Sequence, residues 1–342
     1  MGRIFTPVRI LIAGLLLLAV VGVLWLVPSD DYILLPSKAQ PLAGLVTVEG
    51  ERDDHDGGGI YYVAVELRKA SLLERLFHGL HEGASLVPAR DILGPSGNVK
   101  QYRKEEIKAM ALSQELGAVV GLRALHKPVA VVSPGTVIGA VDEDGPSAGK
   151  LEANDLVVSA DGKPTPFLRD LRRAIRSSPP GSTVRLRVRR GDAVKNVDVK
   201  SVADPEQANQ PIIGIQADCA SQRLTQIKLP VPVHIDLGRV GGPSAGLAFA
   251  LDVVEELGHN VDRGYRVAAT GELCEDGSVL PIGGVKQKTI GARRAGVDVF
   301  LVPEAGDNAK EARRYADGMR IIPVQSFRQA LRALATLPPK QS

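Results

Sequence analysis

The pentapeptide Gly-Pro-Ser-Ala-Gly occurs twice, at residues 145–149 and 242–246. Both copies satisfy GxSxG, a pattern that sets a serine hydroxyl on a sharp turn ready to attack a carbonyl. Context separates them. The first copy leads through residues 150–156, KLEANDL, a short turn feeding a strand. The second leads into LAFALDVVEELG, in which Leu247, Leu251 and Val254 share one helical face and Ala250, Val253 and Leu257 the neighbouring one. Gly258 is placed to cap that helix at its C-terminus. Ser244 therefore stands at the N-terminus of a largely buried helix, where unpaired amides and the helix dipole favour an oxyanion. Taken alone, the motif fits an unreactive N-cap serine, worth ~1 kcal/mol, equally well.

A hydroxyl nucleophile needs a base. The downstream histidine is His259, fifteen residues on at the end of the same helix, which places it about 22 Å from Ser244 at 1.5 Å per residue. An upstream histidine such as His234 would break the serine–acid–histidine order of α/β-hydrolases. Lysine remains. The stretch TGELCEDGSVLPIGGVKQK, residues 270–288, reads as a hairpin about Asp276-Gly277, an apolar strand, and a Gly-Gly turn into a helix carrying Lys286 and Lys288. An ordinary lysine, pKa near 10.4, is protonated at neutral pH; lowering that value by about three units through burial costs roughly 4 kcal/mol. Leu280, Pro281, Ile282 and Val285 could supply the apolar surroundings, while both lysines also read as solvated charges on a helix. Lys286, two residues from Lys288, points about 200° away around a helix.

The elements that must position these groups fall into successive regions. Residues 10–27, ILIAGLLLLAVVGVLWLV, carry no charge and at 1.5 Å per residue make about 27 Å of helix, near the ~30 Å of a bilayer core. Arg3 and Arg9 precede this run and Asp30 and Asp31 follow it, which predicts a cytoplasmic N-terminus and an extracytoplasmic remainder. The exit through Trp25, Leu26, Val27 and Pro28 suits a retained anchor rather than a cleaved leader. Residues 28–125 form a mixed α+β region, with short strands near 32–35, 45–48 and 60–65, a glycine-rich loop at 53–59 and a helix over 105–125. His78 and His81 fit no zinc-protease spacing and read as surface or packing histidines, and no metal site is expected.

Residues 126–203 change texture: strands near 129–132, 137–141 and 156–160, an amphipathic helix over 167–177, then strands at 184–188 and 194–199 joined at Arg190-Gly191-Asp192. This order and the segment GPSAGKLEANDLVVSADGKP resemble a bacterial PDZ domain. The resemblance implies capture of an extended peptide at a sheet edge, with Ser133, Pro134, Gly135 and Thr136 as the carboxylate cradle. From about residue 204 to 342 a third, α+β unit holds the chemistry.

GPSAG followed by TGExxxxGxVLPIGGxKxK resembles the proteolytic domain of Lon-type proteases, over roughly residues 208–338. The resemblance implies Ser244 as nucleophile and Lys288 as base, Thr270 orienting the lysine, and Gly242, Pro243 and Gly246 supporting the nucleophile turn. The family often carries an acid directly before GPSAG, where this chain has Gly241. The nearest imitation of a phosphate loop, residues 144–151, lacks its first glycine and final hydroxyl, so no ATP site and no cofactor are expected. The expectation is an α+β protein with an N-terminal transmembrane helix, a PDZ-like β-rich domain and a Lon-type domain. It would be a single-pass, membrane-anchored, ATP-independent serine endopeptidase of extracytoplasmic proteins and peptides, and a homo-oligomer by analogy. The alternatives are a membrane PDZ adaptor, or a protein that processes only itself. A net charge of +3 in 342 residues and 4% aromatics argue against nucleic-acid binding. Cys219 and Cys274 are either free core thiols or one disulfide.

Overall fold

A computed structural model describes residues 7–49, 58–77, 79–94, 97–205, 207–220 and 222–340. The expected loop at 53–59 lies almost wholly outside them. Helix α1 (Pro7–Leu26) is apolar and exposed along its described side chains. Among the described residues, however, no helix is long and apolar enough to cross a membrane. The span expected over 10–27 is helical, but its described apolar side chains within α1 run from Ile10 to Leu26, about 25 Å of rise, short of a ~30 Å hydrocarbon core.

After α1 the chain enters β1 (Pro28–Pro36), which pairs antiparallel with β5 (Val65–Ser71) on one side and β6 (Ser85–Pro88) on the other. Between β5 and β6 lies α2 (Leu72–Leu76), started by a reciprocal capping box between Ser71 and Glu74. α3 (Ala89–Leu93) follows β6. Helix α4 (Val99–Ala124) starts earlier than its periodicity suggests because the Asn98 side chain accepts from the amides of Lys100 and Gln101.

The region after α1 is woven into the C-terminal unit. The central sheet runs β2 (Gln40–Pro41), β4 (Gly59–Tyr62), β19 (Arg266–Ala269), β22 (Val299–Pro303), β23 (Arg320–Val324), and is parallel from β4 onward. Every residue of β22 is buried, as a parallel strand covered on both faces should be. One face packs on α6 (Gly246–Glu256), α4 and α9 (Phe327–Ala335). The other meets α7 (Val285–Arg294) and α8 (Asn308–Tyr315). A further N-terminal strand, β3 (Val46–Val48), pairs with β18 (Val233–Ile235). α4 lies close along α6 because two positions have no side chain: a Cβ at Gly117 would sit 2.6 Å from Cβ of Phe249, and one at Gly121 2.8 Å from Cγ1 of Val253.

The middle unit is a separate antiparallel sheet. β10 (Leu156–Ala160) lies between β11 (Lys163–Pro164) and β12 (Thr183–Arg190), and β12 continues to β13 (Ala193–Lys200). The strand expected at 137–141 is split into β8 (Thr136–Val137), which pairs with β10, and β9 (Ala140–Val141). α5 (Leu168–Ile175) lays Leu171, Ala174 and Ile175 on this sheet. Two pairings tie the unit to the C-terminal one: β7 (Ala130–Val132) with β17 (Gln226–Lys228), and β9 with β16 (Ile215–Gln216). Between those attachments Cys219 and Cys274 form a disulfide with Cα atoms 5.2 Å apart, which decides the question their spacing left open.

Candidate active site

Ser244 occupies the turn immediately before α6, whose residues are almost all buried. Gly242 adopts φ +92°, a left-handed conformation that favours glycine and bends the backbone into this turn. A side chain at Gly246 would meet both Cβ of Leu273 and Oγ of Ser113 at 2.9 Å. The helix ends as its sequence suggests, with Gly258 left-handed just past the cap residue Leu257.

Lys288 lies in the first turns of α7, which starts at the left-handed Gly284. Its Nζ stands 2.5 Å from Oγ of Ser244, 3.1 Å from the carbonyl oxygen of Val63 and 3.3 Å from Oγ1 of Thr270. Thr270, itself fully buried after β19, donates to the carbonyl of Ser244 at 3.0 Å, and the Gly271 amide donates to the same carbonyl at 2.8 Å. One backbone oxygen thus fixes nucleophile and threonine together. Burial is the largest influence on the lysine and brings its pKa from 10.5 down to about 8, against an opposing pull from the Glu106 carboxylate. Lys286 points elsewhere: its Nζ donates to the carbonyl of Ala84 at 2.8 Å.

Several groups at the site come from the N-terminal region, where the sequence announced no chemistry. Ser113 on α4 donates to the carbonyl of Pro243 at 2.9 Å, and the Gly242 amide donates to the carbonyl of Glu106, also on α4, at 2.9 Å. α4 therefore grips the nucleophile turn at two consecutive residues. A Cβ at Gly241 would approach Cβ of Glu106 to 2.9 Å. This close approach gives a physical reason for glycine where Lon-type sequences often carry an acid. The Glu106 carboxyl lies beside the same turn, its pKa raised by burial and by Glu105 and lowered by Lys288. Fixed amphipathic spacing could reveal that α4 is a helix, but not that it would close over residues 130 positions away.

The dyad opens onto a cleft of about 690 Å³ walled by Leu67, Ile92, Tyr102, Ile107 and Met110 as well as by Gly242, Pro243 and Ser244. Glu272, two residues past Thr270, accepts from the amides of Cys219 and Ala220 at 2.7 and 2.9 Å. It anchors the segment that leads out of the middle unit, and burial followed by repulsion from Asp218 pushes its pKa up to about 7. The loop Ser133, Pro134, Gly135, Thr136 is not part of the cleft. Gln222 Nε2 donates to Oγ of Ser133 and to the carbonyls of Gly135 and Pro166, and Thr136 Oγ1 donates to the Thr165 carbonyl. The Ser133 hydroxyl, the Gly135 carbonyl and the Thr136 hydroxyl are thus engaged by the chain itself. Among the described residues no cluster of side chains could hold a metal.

Residues 207–336 match the family model of the Lon protease (S16) C-terminal proteolytic domain, and residues 116–201 that of the PDZ domain. The Lon protease of Chloroflexus aggregans is 40% identical over 116 residues, 32% of this chain and 14% of its own length. Lon protease 1 of Myxococcus xanthus is 37% identical over 113 residues, 31% of this chain and 14% of that protein. The chain therefore spans only a small part of the curated relatives it matches. The crystal structure of the PDZ domain of an SdrC-like protein from Listeria monocytogenes is 30% identical, covering 26% of this chain and 92% of that one at a TM-score of 0.24. The matched models define the class of each part: residues 207–336 are similar to the proteolytic domain of a serine peptidase family, and residues 116–201 to a PDZ domain.

Proposed function

We propose that this protein is a membrane-anchored endopeptidase that cleaves extracytoplasmic proteins and peptides through a Ser244–Lys288 dyad, without a nucleotide. The observation that carries the reading is the 2.5 Å approach of a fully desolvated lysine to the serine hydroxyl. In this mechanism neutral Lys288 takes the proton from Oγ as Oγ bonds to the substrate carbonyl carbon. The resulting oxyanion is stabilised by the positive N-terminal end of α6, which begins two residues past Ser244. The ammonium then passes its proton to the leaving amine as the C–N bond breaks, leaving the acyl group on Oγ. Water attacks that ester, Lys288 again taking the proton, and the returning proton restores the serine.

Three observations support the membrane and compartment parts. The described side chains of α1 are apolar and exposed over most of its length, Arg3 and Arg9 precede its uncharged run, and the Cys219–Cys274 disulfide suits an oxidising compartment. Residues 144–151, the nearest imitation of a phosphate loop, lack its first glycine and final hydroxyl, which supports the nucleotide-independent part of the reading. The PDZ unit, whose exit segment is tied to the protease hairpin by the Cys219–Cys274 disulfide, would raise the local concentration of substrate chains. A fluorescently labelled unfolded protein, supplied in excess without ATP, tests the proposal. Many cleavages per enzyme molecule are expected from the wild type and none from Ser244→Ala. A single self-cleavage with no turnover, or full activity in Ser244→Ala, overturns it.

A further inference from the structure

The end of α2 and the loop that follows it carry three large apolar side chains on the outside of the molecule: Leu76, Phe77 and Leu80, exposed by 61%, 58% and 47%. Short secondary structure and two hydrogen bonds hold them there, Phe77 N–H to the Leu73 carbonyl and Leu80 N–H to the Phe77 carbonyl. Two further contacts fix where this loop lies. The Leu72 amide donates to the carbonyl of Val27 at 2.9 Å, so α2 begins level with the end of α1. The ring of His81 then meets that of Trp25 in the last turns of α1, centroids 6.3 Å apart. The exposed trio therefore lies on a segment held at both ends, through Leu72 and His81, against the exposed apolar residues Trp25 and Val27 where α1 ends.

The charges nearest the loop are paired. Arg75 meets Asp31 at 3.1 Å, Glu74 takes both Arg68 and His81, and Glu82 is held by Arg293 and Arg294. An apolar tip with a paired, polar rim beside an exposed apolar helix matches the chemistry of a bilayer interface, where apolar side chains enter the headgroup–acyl boundary and polar groups stay in water. We infer that Leu76, Phe77 and Leu80 form a second membrane contact, seated in the headgroup–acyl boundary of the leaflet that α1 leaves. This inference rests on the reading of α1 as an anchor. It also bears on the peptidase. Three residues past Leu80, the Gly83 carbonyl accepts from Gln287 and the next, that of Ala84, from Lys286, both on the helix of Lys288. The seat therefore connects to the catalytic helix through Gly83 and Ala84 and holds the cleft at the bilayer surface, where membrane-proximal stretches of substrate chains reach it.

Trp25 is the single tryptophan of the chain, so lipid quenching reads the two contacts separately. The full chain is reconstituted in phosphatidylcholine–phosphatidylglycerol vesicles whose acyl chains are brominated near the headgroup or near the tail end. In the wild type, quenching of Trp25 reports the anchor. In Trp25→Phe combined with Phe77→Trp, emission reports the loop, and the same pair made with Leu80→Trp guards against a local fault; peptide turnover by each variant verifies its fold. The expected result is at least a twofold loss of emission at position 77 or 80 with shallow bromines and a smaller loss with deep ones. Quenching of Trp25 with unquenched emission at both loop positions overturns the inference and leaves the anchor standing. No quenching at any position overturns both.

Discussion

Replacing Lys288 with methionine should abolish turnover and also change how stability depends on pH. Burial lowers the folded-state pKa of this lysine from 10.5 to about 8, while in the unfolded chain it titrates near 10.4. Between those values the unfolded state holds a proton that the folded state has released, so wild-type stability rises with pH across that window. Below pH 8 the full penalty applies, about 3 kcal/mol from a separation of roughly 2.5 units at 1.36 kcal/mol each. Methionine fills similar space with no charge. It also forfeits the contacts to Val63, Ser244 and Thr270, on the order of 1 kcal/mol each, a loss that does not depend on pH. The difference between the two proteins isolates the lysine and the Glu106 carboxyl coupled to it, because titrating groups that do not feel the lysine cancel. From pH 7 to pH 10 that difference should swing toward the wild type by about 2.5 kcal/mol. Urea unfolding in detergent, followed by circular dichroism at unit steps of pH, reads it. A gap that stays constant within ~0.5 kcal/mol would mean that the lysine keeps its ordinary pKa, and the argument for a neutral base would fail.

Two further perturbations probe the contacts made by α4. Glu106→Gln removes the charge that holds the Lys288 pKa up, so the acid limb of kcat/KM for a labelled peptide should move to lower pH; a move to higher pH would contradict the electrostatic assignment. Gly121→Val forces a branched side chain against Val253 and the Ala250 carbonyl, both under 3 Å from an added Cβ, and should cost roughly 1–3 kcal/mol. An unchanged melting temperature would show that α4 does not pack so closely on α6.

The sequence by itself determined the parts whose signals are local. The helix behind Ser244 follows from its apolar period, the turn before it from Gly-Pro-Ser-Ala-Gly, and the strand–helix–strand–strand order of residues 156–200 from alternation and turn residues. The resemblance of GPSAG and TGExxxxGxVLPIGGxKxK to Lon-type proteases singled out Ser244, Thr270 and Lys288, and the structure brings these three groups within hydrogen-bond reach. Only the tertiary structure decided what closes around them. Val63, Glu106 and Ser113 meet the dyad and its turn across separations of 225, 136 and 130 residues. Periodicity tells which face of α4 is apolar and says nothing of which helix covers it. The same holds for β4, whose short run became an inner strand of a parallel sheet beside residues 266–268, and for Cys219, whose partner was fixed by chain path rather than by spacing. Contacts within about one helical turn are written in residue order; contacts across the fold depend on how separately legible elements pack, and packing is chosen by the whole chain.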